Sequence, residues 1–429
     1  MRAKNSDYRK NAFDIIKIWA AISVMLKHYI RFSQVLFEKL PAPVQDQNAG
    51  TLKVFQRILV TAEFFEPVIL FFVVSGFLTA ASLERSRQGS GTALGTEMRA
   101  HSGSGSGALK AEVHPENRDA ESAAAFLKKR FLRIYPELWL SSLIYLAVLL
   151  VTAPGLLDRS MLKWAAAQVF GIAYTPSCLK NYATGSMNGV LWMIFVLVQM
   201  YVLLAVFGKR LERLKPAGWL IFLTICGVCN LLCRSALAAA EAGDILSAAA
   251  SAQSRMPVIF VSAVTILNSH NSVVGKVVER LFLPYALWYF TGVFCFRFRD
   301  TVIPFCRKYG WLCLTGTVLM QAAAGRLFPD IWSYGYYCGI GEGLCAAAAA
   351  ILAAFTLPAV RVKRDITYEI FLYHWLFLNL WVSYDLIWSP MPAVMLAAFL
   401  CVSIAAAYMM QRIYKLTSGT FPGVNLLHR

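Results

Sequence analysis

The sequence predicts an all-α, polytopic integral membrane protein of about ten transmembrane helices, with the N- and C-termini cytoplasmic. Three observations predict it. The chain of 429 residues is 58% hydrophobic with a mean hydropathy of +0.55, more apolar than a water-soluble domain of ordinary composition. Runs of about 20 mostly apolar residues, the length a helix needs to cross a hydrocarbon core, recur from end to end. Basic residues gather at the ends of alternate runs, which is the positive-inside pattern. The formal net charge of +17 therefore points to a membrane surface and not to nucleic acid, because the charges form no continuous stripe.

The expected spans are 12–32, 64–83, 132–153, 188–207, 217–236, 281–297, 309–325, 337–357, 366–387 and 391–411. The first is an uncleaved span and not a signal peptide: Asp14 and Lys17 interrupt its apolar run, and Lys27-His28 follows without a small-residue cleavage site. Its N-terminus inside, the cytoplasmic side receives Arg2/Lys4/Arg9/Lys10, Lys128/Lys129/Arg130/Arg133, Lys209/Arg210/Arg213/Lys215, Arg297/Arg299/Arg307/Lys308, Arg361/Lys363/Arg364 and Arg412/Lys415. The outer segments contain Arg31, Lys39, Lys53 and Arg57, so the asymmetry is strong without being complete. Between the second and third spans, 84–122 is polar and Gly/Ser-rich, a composition that cannot offset its ordering entropy, and is expected to be a flexible cytoplasmic insertion. The outer segment 237–280 contains an apolar run at 256–267 that is too short to span and suits an interfacial or re-entrant helix. Residues 1–429 thus read as a single transmembrane domain, with no separate soluble domain visible at either end. The ten cysteines fall mostly within spans, where cysteine acts as a small buried hydrophobe; no metal is expected.

Ionisable groups inside a span are costly and mark function by default. The first span carries Asp14, Lys17, Lys27 and His28. Lys17 and His28 are 11 residues apart, which at about 100° per residue returns to within about 20° of one helix face, roughly 16 Å further along. Asp14 and Lys17, at i and i+3, suit an ion pair that lowers the cost of both charges, whether within a site or at the inner interface. A titratable imidazole at membrane depth suits proton transfer for His28. Lys27 is expected to snorkel to the outer interface. The third span opens on Lys128-Lys129-Arg130-Phe131-Leu132-Arg133, where the i, i+3 spacing of Arg130 and Arg133 lets two guanidinium forks hold phosphate oxygens. Later, His374 places a second imidazole within a span, with a structural hydrogen bond and a chemical role both open. Glu369 is expected at the inner interface. His270 lies in the outer segment, and His101, His114 and His428 in flexible or terminal ones.

In this order, these residues resemble acyltransferase family 3 of integral membrane proteins, whose members modify extracytoplasmic glycans and related polymers. The similarity spans almost the whole chain. The family's acidic–basic–histidine opening is matched by Asp14, Lys17 and His28, with Lys17 in place of the usual arginine. Its aromatic-rich Ser-Gly element is matched by Phe71-Phe72-Val73-Val74-Ser75-Gly76-Phe77-Leu78, its Arg-x-x-Arg by Arg130 and Arg133, and its late Tyr-x5-His by Tyr368 and His374. Many members carry Trp, two glutamates, Gln and Tyr in the fourth span; here Trp192, Gln199 and Tyr201 keep the spacing, but Leu197 and Val198 replace the glutamates.

The resemblance implies transfer of an acyl group, most often acetyl, from cytoplasmic acyl-coenzyme A to a hydroxyl of an extracytoplasmic carbohydrate or cell-surface polymer. Under it, His28 is the catalytic base or transient acyl carrier, with Asp14 beside it in the catalytic motif. Lys17, Arg130 and Arg133 hold the anionic donor. Ser75, Trp192, Gln199, Tyr368 and His374 line the substrate channel, with the Ser75-Gly76 turn and Trp192 shaping it. The partners implied are a glycan acceptor, membrane lipid and, for the final transfer, another protein or none; nucleic acid is not among them. Two other classes fit many helices with intramembrane polar groups: a transporter or flippase for a lipid-linked sugar or polysaccharide, and a non-catalytic scaffold whose histidines bridge helices.

Overall fold

The computed structural model describes residues 8–101, 115–241, 278 and 280–419, without the side chains of 89–101, 115–122, 236–241 and several near residue 419. The regular elements among them are helical. They are α1 (Phe13–Phe37), α2 (Ala42–Ala62), α3 (Pro67–His101), α4 (Pro115–Thr152), α5 (Ser160–Val169), α6 (Leu191–Arg213), α7 (Pro216–Glu241), α8 (Ala286–Arg297), α9 (Arg299–Leu327), the single turn α10 (Pro329–Trp332), α11 (Ile340–Thr356), α12 (Thr367–Ser383) and α13 (Pro392–Gly419). Helices α3, α7, α10 and α13 open on proline, whose missing N–H is an orphan at that position anyway.

Each of the ten expected spans overlaps one of these helices. Among the described residues, five helical stretches are long and apolar enough to cross a membrane: Ala42–Gln88, Ala123–Thr152, Leu191–Arg213, Pro216–Ser235 and Pro392–Tyr414. Large apolar side chains face outward, such as Leu220 on α7 and Leu312 on α9, which leave 69% and 75% of their surface uncovered, an exterior that lipid, and not water, would solvate. The protein is a membrane protein.

Two helices were not expected. α2 carries Gln45, Asp46, Gln47, Asn48, Lys53 and Arg57, too polar for a span, and buries only Phe55, Leu59 and Ala62 against its neighbours. α5 follows the same logic with ten residues. Helix also extends into the polar stretch expected as coil, since α3 runs to His101 and α4 starts at Pro115. Residues 102–114, the run 256–267, His114, His270 and His428, and the side chain of His101, lie outside the described residues. Ser75-Gly76 is not a turn but the middle of α3, where glycine serves close packing. A Cβ on Gly76 would lie 1.9 Å from the Tyr289 carbonyl oxygen, and one on Gly292 would lie 2.0 Å from that of Val73. The backbones of α3 and α8 therefore touch, the small-residue packing by which membrane helices gain dispersion contacts.

The basic clusters meet at one end of the bundle. Arg361 donates to the Arg9 carbonyl, Arg297 to the Glu212 carbonyl, Arg87 pairs with Glu212 and Arg299 with Glu84 at 2.9 Å. At the opposite end, Arg31 pairs with Glu63 at 2.7 Å, and Gln321 donates to the Phe64 carbonyl. Helix α12, apolar on nearly every face, runs between these ends as a central element with Glu369, His374 and Asn379 buried, as an all-round apolar helix must.

Candidate active site

At the basic end, a cavity of about 180 Å³ opens between α1, α3, α4, α6 and α12. Its polar lining includes Lys17, Ser75, Arg130, Arg133, Asp365 and Tyr368, so five residues expected at the site from four separate helices converge here. Lys17 bridges two carboxylates, Asp14 at 2.9 Å and Asp365, the closer partner. Burial alone would push the Asp365 carboxyl up, but the Lys17 ammonium and the hydroxyl and amide of Thr367 outweigh it and hold the group below the ordinary carboxylate range. Asp14 also accepts from the Val362 amide at 3.2 Å, so it ties α1 to the segment leading into α12. Asp365 had no sequence signal: it sits 348 residues from Lys17, in a basic loop that reads as a topology marker.

The two arginines are differently disposed. Arg130 lies over the rings of Phe126 and Tyr201 at 5.4 and 5.5 Å, and its Nε is buried without a partner. Neither Arg130 nor Arg133 pairs with a carboxylate among the described residues, while Lys17, Arg87 and Arg299 do. Cations left uncompensated beside a cavity favour an anionic ligand that accepts from both forks. Tyr368 spends its hydroxyl on the Ile134 carbonyl at 2.9 Å, bracing α12 against α4 at the residue next to Arg133.

Deeper in the bundle, the imidazoles of His28 and His374 face each other in parallel, 2° between planes, with Nδ1 of His28 3.0 Å from Nε2 of His374. His374 is 1% exposed, and its Nδ1 stands 2.9 Å from the Ile370 carbonyl oxygen. A carbonyl only accepts, so His374 carries its proton on Nδ1 and, with both rings neutral, presents a lone pair at Nε2. His28 must then donate from Nδ1, which leaves its Nε2 as the open lone pair. The chain of bonds thus selects one tautomer of His28, the one able to take a proton. No described residue bonds that Nε2.

His28 lines neither this cavity nor the others described. Phe371 connects them: it lines the cavity, packs 6.2 Å from Phe71 and 6.3 Å from His374. On its other side, His28 meets the edge of Trp375 at 4.7 Å. Trp375 is held by the loop before α6, donating from Nε1 to Thr184 at 3.0 Å and to the Ser186 carbonyl at 3.1 Å, and Asn379 clamps the same loop through Ser186 and Met187.

Other expected residues fall elsewhere. Lys27 reaches the opposite end of the bundle but is not bare there; its ammonium bonds Glu66 at 2.8 Å and Glu63 at 3.3 Å and is only 15% exposed, because those two carboxylates lie at the break before α3. Glu369 is buried, 4% exposed, accepting from Gln411 at 2.9 Å. Gln199 spends its amide on backbone, donating to the Arg280 carbonyl at 2.6 Å and accepting from the Phe282 amide. Trp192 lies away from this cavity, tilted against the rings of Tyr285 and Tyr337. All ten cysteines are free thiols, and no group of three or more His, Cys, Asp or Glu stands close enough to hold a metal among the described residues.

Comparison with known proteins reaches the same place by an independent route. The acyltransferase domain that defines acyltransferase family 3 matches residues 10–412. A nodulation protein, "Nodulation protein 10" of Rhizobium leguminosarum bv. viciae, is 26% identical over 231 residues, 51% of this chain and 49% of that protein; the match thus spans about half the length of that curated relative. No solved structure matches the chain. Because the family's domain reaches from just before α1 into the last helix, the chain belongs to acyltransferase family 3 and is a membrane acyltransferase.

Proposed function

We propose that the protein takes an acyl group, acetyl by preference, from cytoplasmic acyl-coenzyme A and passes it to a hydroxyl of an extracytoplasmic carbohydrate or cell-surface polymer. It would do so as a multi-pass protein of the cytoplasmic membrane with the basic end inside. The observation that carries the reading is the pairing of an anion-seeking cavity, lined by Arg130 and Arg133 with no carboxylate of their own, with a tautomer-fixed imidazole pair one aromatic layer beyond it. Coenzyme A carries its charge on phosphates and its reactive carbon at the end of a long neutral arm, and a cationic mouth followed by a narrow apolar passage suits that shape. The phosphates would stay at Arg130 and Arg133, which line the mouth, while the neutral arm reaches inward. Lys17, already shared by Asp14 and Asp365, chiefly braces the mouth.

The chemistry follows from the open Nε2 of His28. It removes the proton of the acceptor hydroxyl as the oxygen adds to the thioester carbonyl. The carbon–sulfur bond then breaks, and the coenzyme A thiolate recovers the proton from the imidazolium. His374 shares the transient positive charge through the Nδ1–Nε2 bond. For the thioester to arrive, Phe71 and Phe371 must turn aside.

The test is incubation of the protein in lipid nanodiscs with labelled acetyl-coenzyme A and surface polysaccharide from the same cells. Label should enter the polysaccharide with the wild-type chain and not with His28→Ala. A preparation that moves a lipid-linked sugar across the bilayer while forming no labelled product would refute the reading.

A further inference from the structure

A second cavity, of about 370 Å³, lies on the other side of Trp375 from the imidazole pair, and nothing in the acyl-donor chemistry uses it. Its walls are aromatic. Tyr285 and Tyr336 are 2% and 3% exposed and form the floor, while Trp192 and Tyr337, their rings in contact at 5.2 Å and tilted by 48°, form one aromatic wall. Tyr337 is 40% exposed and forms the lip. Thr175 and Arg280 add polar groups to the rim. We propose that this cavity is the acceptor subsite and that it takes a pyranose ring with one C–H face packed against the aromatic wall of Trp192 and Tyr337.

The chemistry of the lining selects this ligand. One face of a pyranose is a patch of C–H bonds with slight positive charge, which matches the negative face of an aromatic ring. The ring edge carries hydroxyls that need donors and acceptors, and the rim supplies them. A fatty chain would leave these polar groups unsolvated. A nucleotide would bring more negative charge than a single arginine balances. The volume lies within the range of small-molecule pockets.

The cavity is also built rather than incidental. Tyr337 holds φ at +68°, a left-handed backbone that costs a non-glycine residue energy and persists only where surroundings impose it. The imposing group is Asn230, fully buried. Its amide donates to the Pro284 carbonyl at 2.7 Å and the Tyr336 carbonyl at 3.3 Å, and accepts from the Tyr336 amide at 3.0 Å. One side chain therefore sets both aromatic segments, and Gln199 secures the start of the first through Arg280 and Phe282. The cavity reaches the imidazole through two routes. Lys27, adjacent to His28 in the chain, sits over the Tyr337 ring at 5.5 Å. Gly189 lines the cavity, and a Cβ there would lie 2.4 Å from the Trp375 ring, the same indole that touches His28. The subsite and the base are thus separated by one indole.

The subsite rests on the acyl-transfer reading only for the role of acceptor, so its test does not depend on turnover. The full chain in nanodiscs is titrated with short oligosaccharides of glucose, galactose and N-acetylglucosamine and followed by saturation-transfer NMR. Wild type and His28→Ala should both saturate the C–H protons of one sugar face. Trp192→Ala should weaken the affinity about tenfold. So should Tyr337→Gly, which removes the ring while suiting the left-handed backbone. No saturation of any of these sugars by wild type, or wild-type affinity in either aromatic variant, overturns the proposal. Face-selective binding that survives while labelled acetyl never transfers would instead remove the acyl-transfer reading and leave the subsite standing.

Discussion

On the proposed mechanism His374 acts through His28, and the two roles open to it in the sequence can be separated. In His374→Ala the acceptor of the His28 Nδ1–H bond disappears. The buried N–H is left unpaired, a loss of about 1–3 kcal/mol, and His28 is released to place its proton on either nitrogen. If that bond is needed only when His28 carries positive charge, the same energy appears in the barrier as a fall of about 5- to 150-fold in kcat. His374→Gln places an amide oxygen where Nε2 stood and should recover much of the loss, because the oxygen also accepts from Nδ1 of His28. On the proposed reading the donor is held at Arg130 and Arg133, on the far side of Phe371, so the Michaelis constant for acetyl-coenzyme A should stay within about twofold. The assay is transfer of labelled acetyl by purified protein in nanodiscs at saturating acceptor, with thermal unfolding of each variant recorded alongside. Unchanged kcat in His374→Ala, or an equal loss in the Gln and Ala variants with normal thermal stability, would refute the relay and return His374 to a packing role.

Other consequences are sharper in magnitude. Arg130→Gln should raise the Michaelis constant for acetyl-coenzyme A about tenfold or more with little change in kcat, and Arg130→Lys should not restore it, because a point charge cannot reproduce a fork stacked on Phe126 and Tyr201; steady-state donor titration checks both. Gly76→Ala should prevent accumulation of folded protein, because its Cβ would meet the Tyr289 carbonyl at 1.9 Å and backbone cannot move aside, as detergent-extracted protein on a sizing column would show. Gly189→Ala should cost about 1–3 kcal/mol of stability by overpacking and should also slow transfer by pressing Trp375 onto His28, read as a lowered Tm together with a lowered kcat. The Asp365 carboxyl is held below its ordinary range, so its pairing with Lys17 stabilises fully above the unfolded-state pKa and is lost as pH falls through the lower folded value; stability should decline on acidification below the ordinary carboxylate range, and Asp365→Asn should flatten that decline in thermal unfolding curves.

Much of the fold was legible because lipid imposes a one-dimensional code. A helix that must bury all its backbone hydrogen bonds in hydrocarbon shows itself as a long apolar run, and each expected span overlaps a helix. The helices that escaped, α2 and α5, bury few side chains and carry polar faces, so they leave no such trace. Within the site, residues that are out of place by local rules were the visible ones: a lysine, an arginine pair and two histidines inside apolar runs. Asp365 and Asn230 were not visible. An aspartate in a basic loop and an asparagine in an apolar helix look ordinary until their partners, which are distant in the chain, are known. Lys27 shows a related limit: its place in the span points to the outer interface, but not to the Glu63 and Glu66 carboxylates that hold it there.

By itself, the sequence determined that this chain is a helical membrane protein with basic residues concentrated on one side and ionisable groups stranded at depth, because the energy of moving backbone and charge into hydrocarbon depends on residue type and run length alone. Only the tertiary structure decided that His28 faces His374 and not lipid, that Ser75-Gly76 is a helix contact and not a turn, and that the aromatic residues around Trp192 enclose a separate cavity. Those outcomes depend on directional contacts a few ångströms long between segments up to 346 residues apart, and no local pattern encodes which distant ring a ring nitrogen will meet.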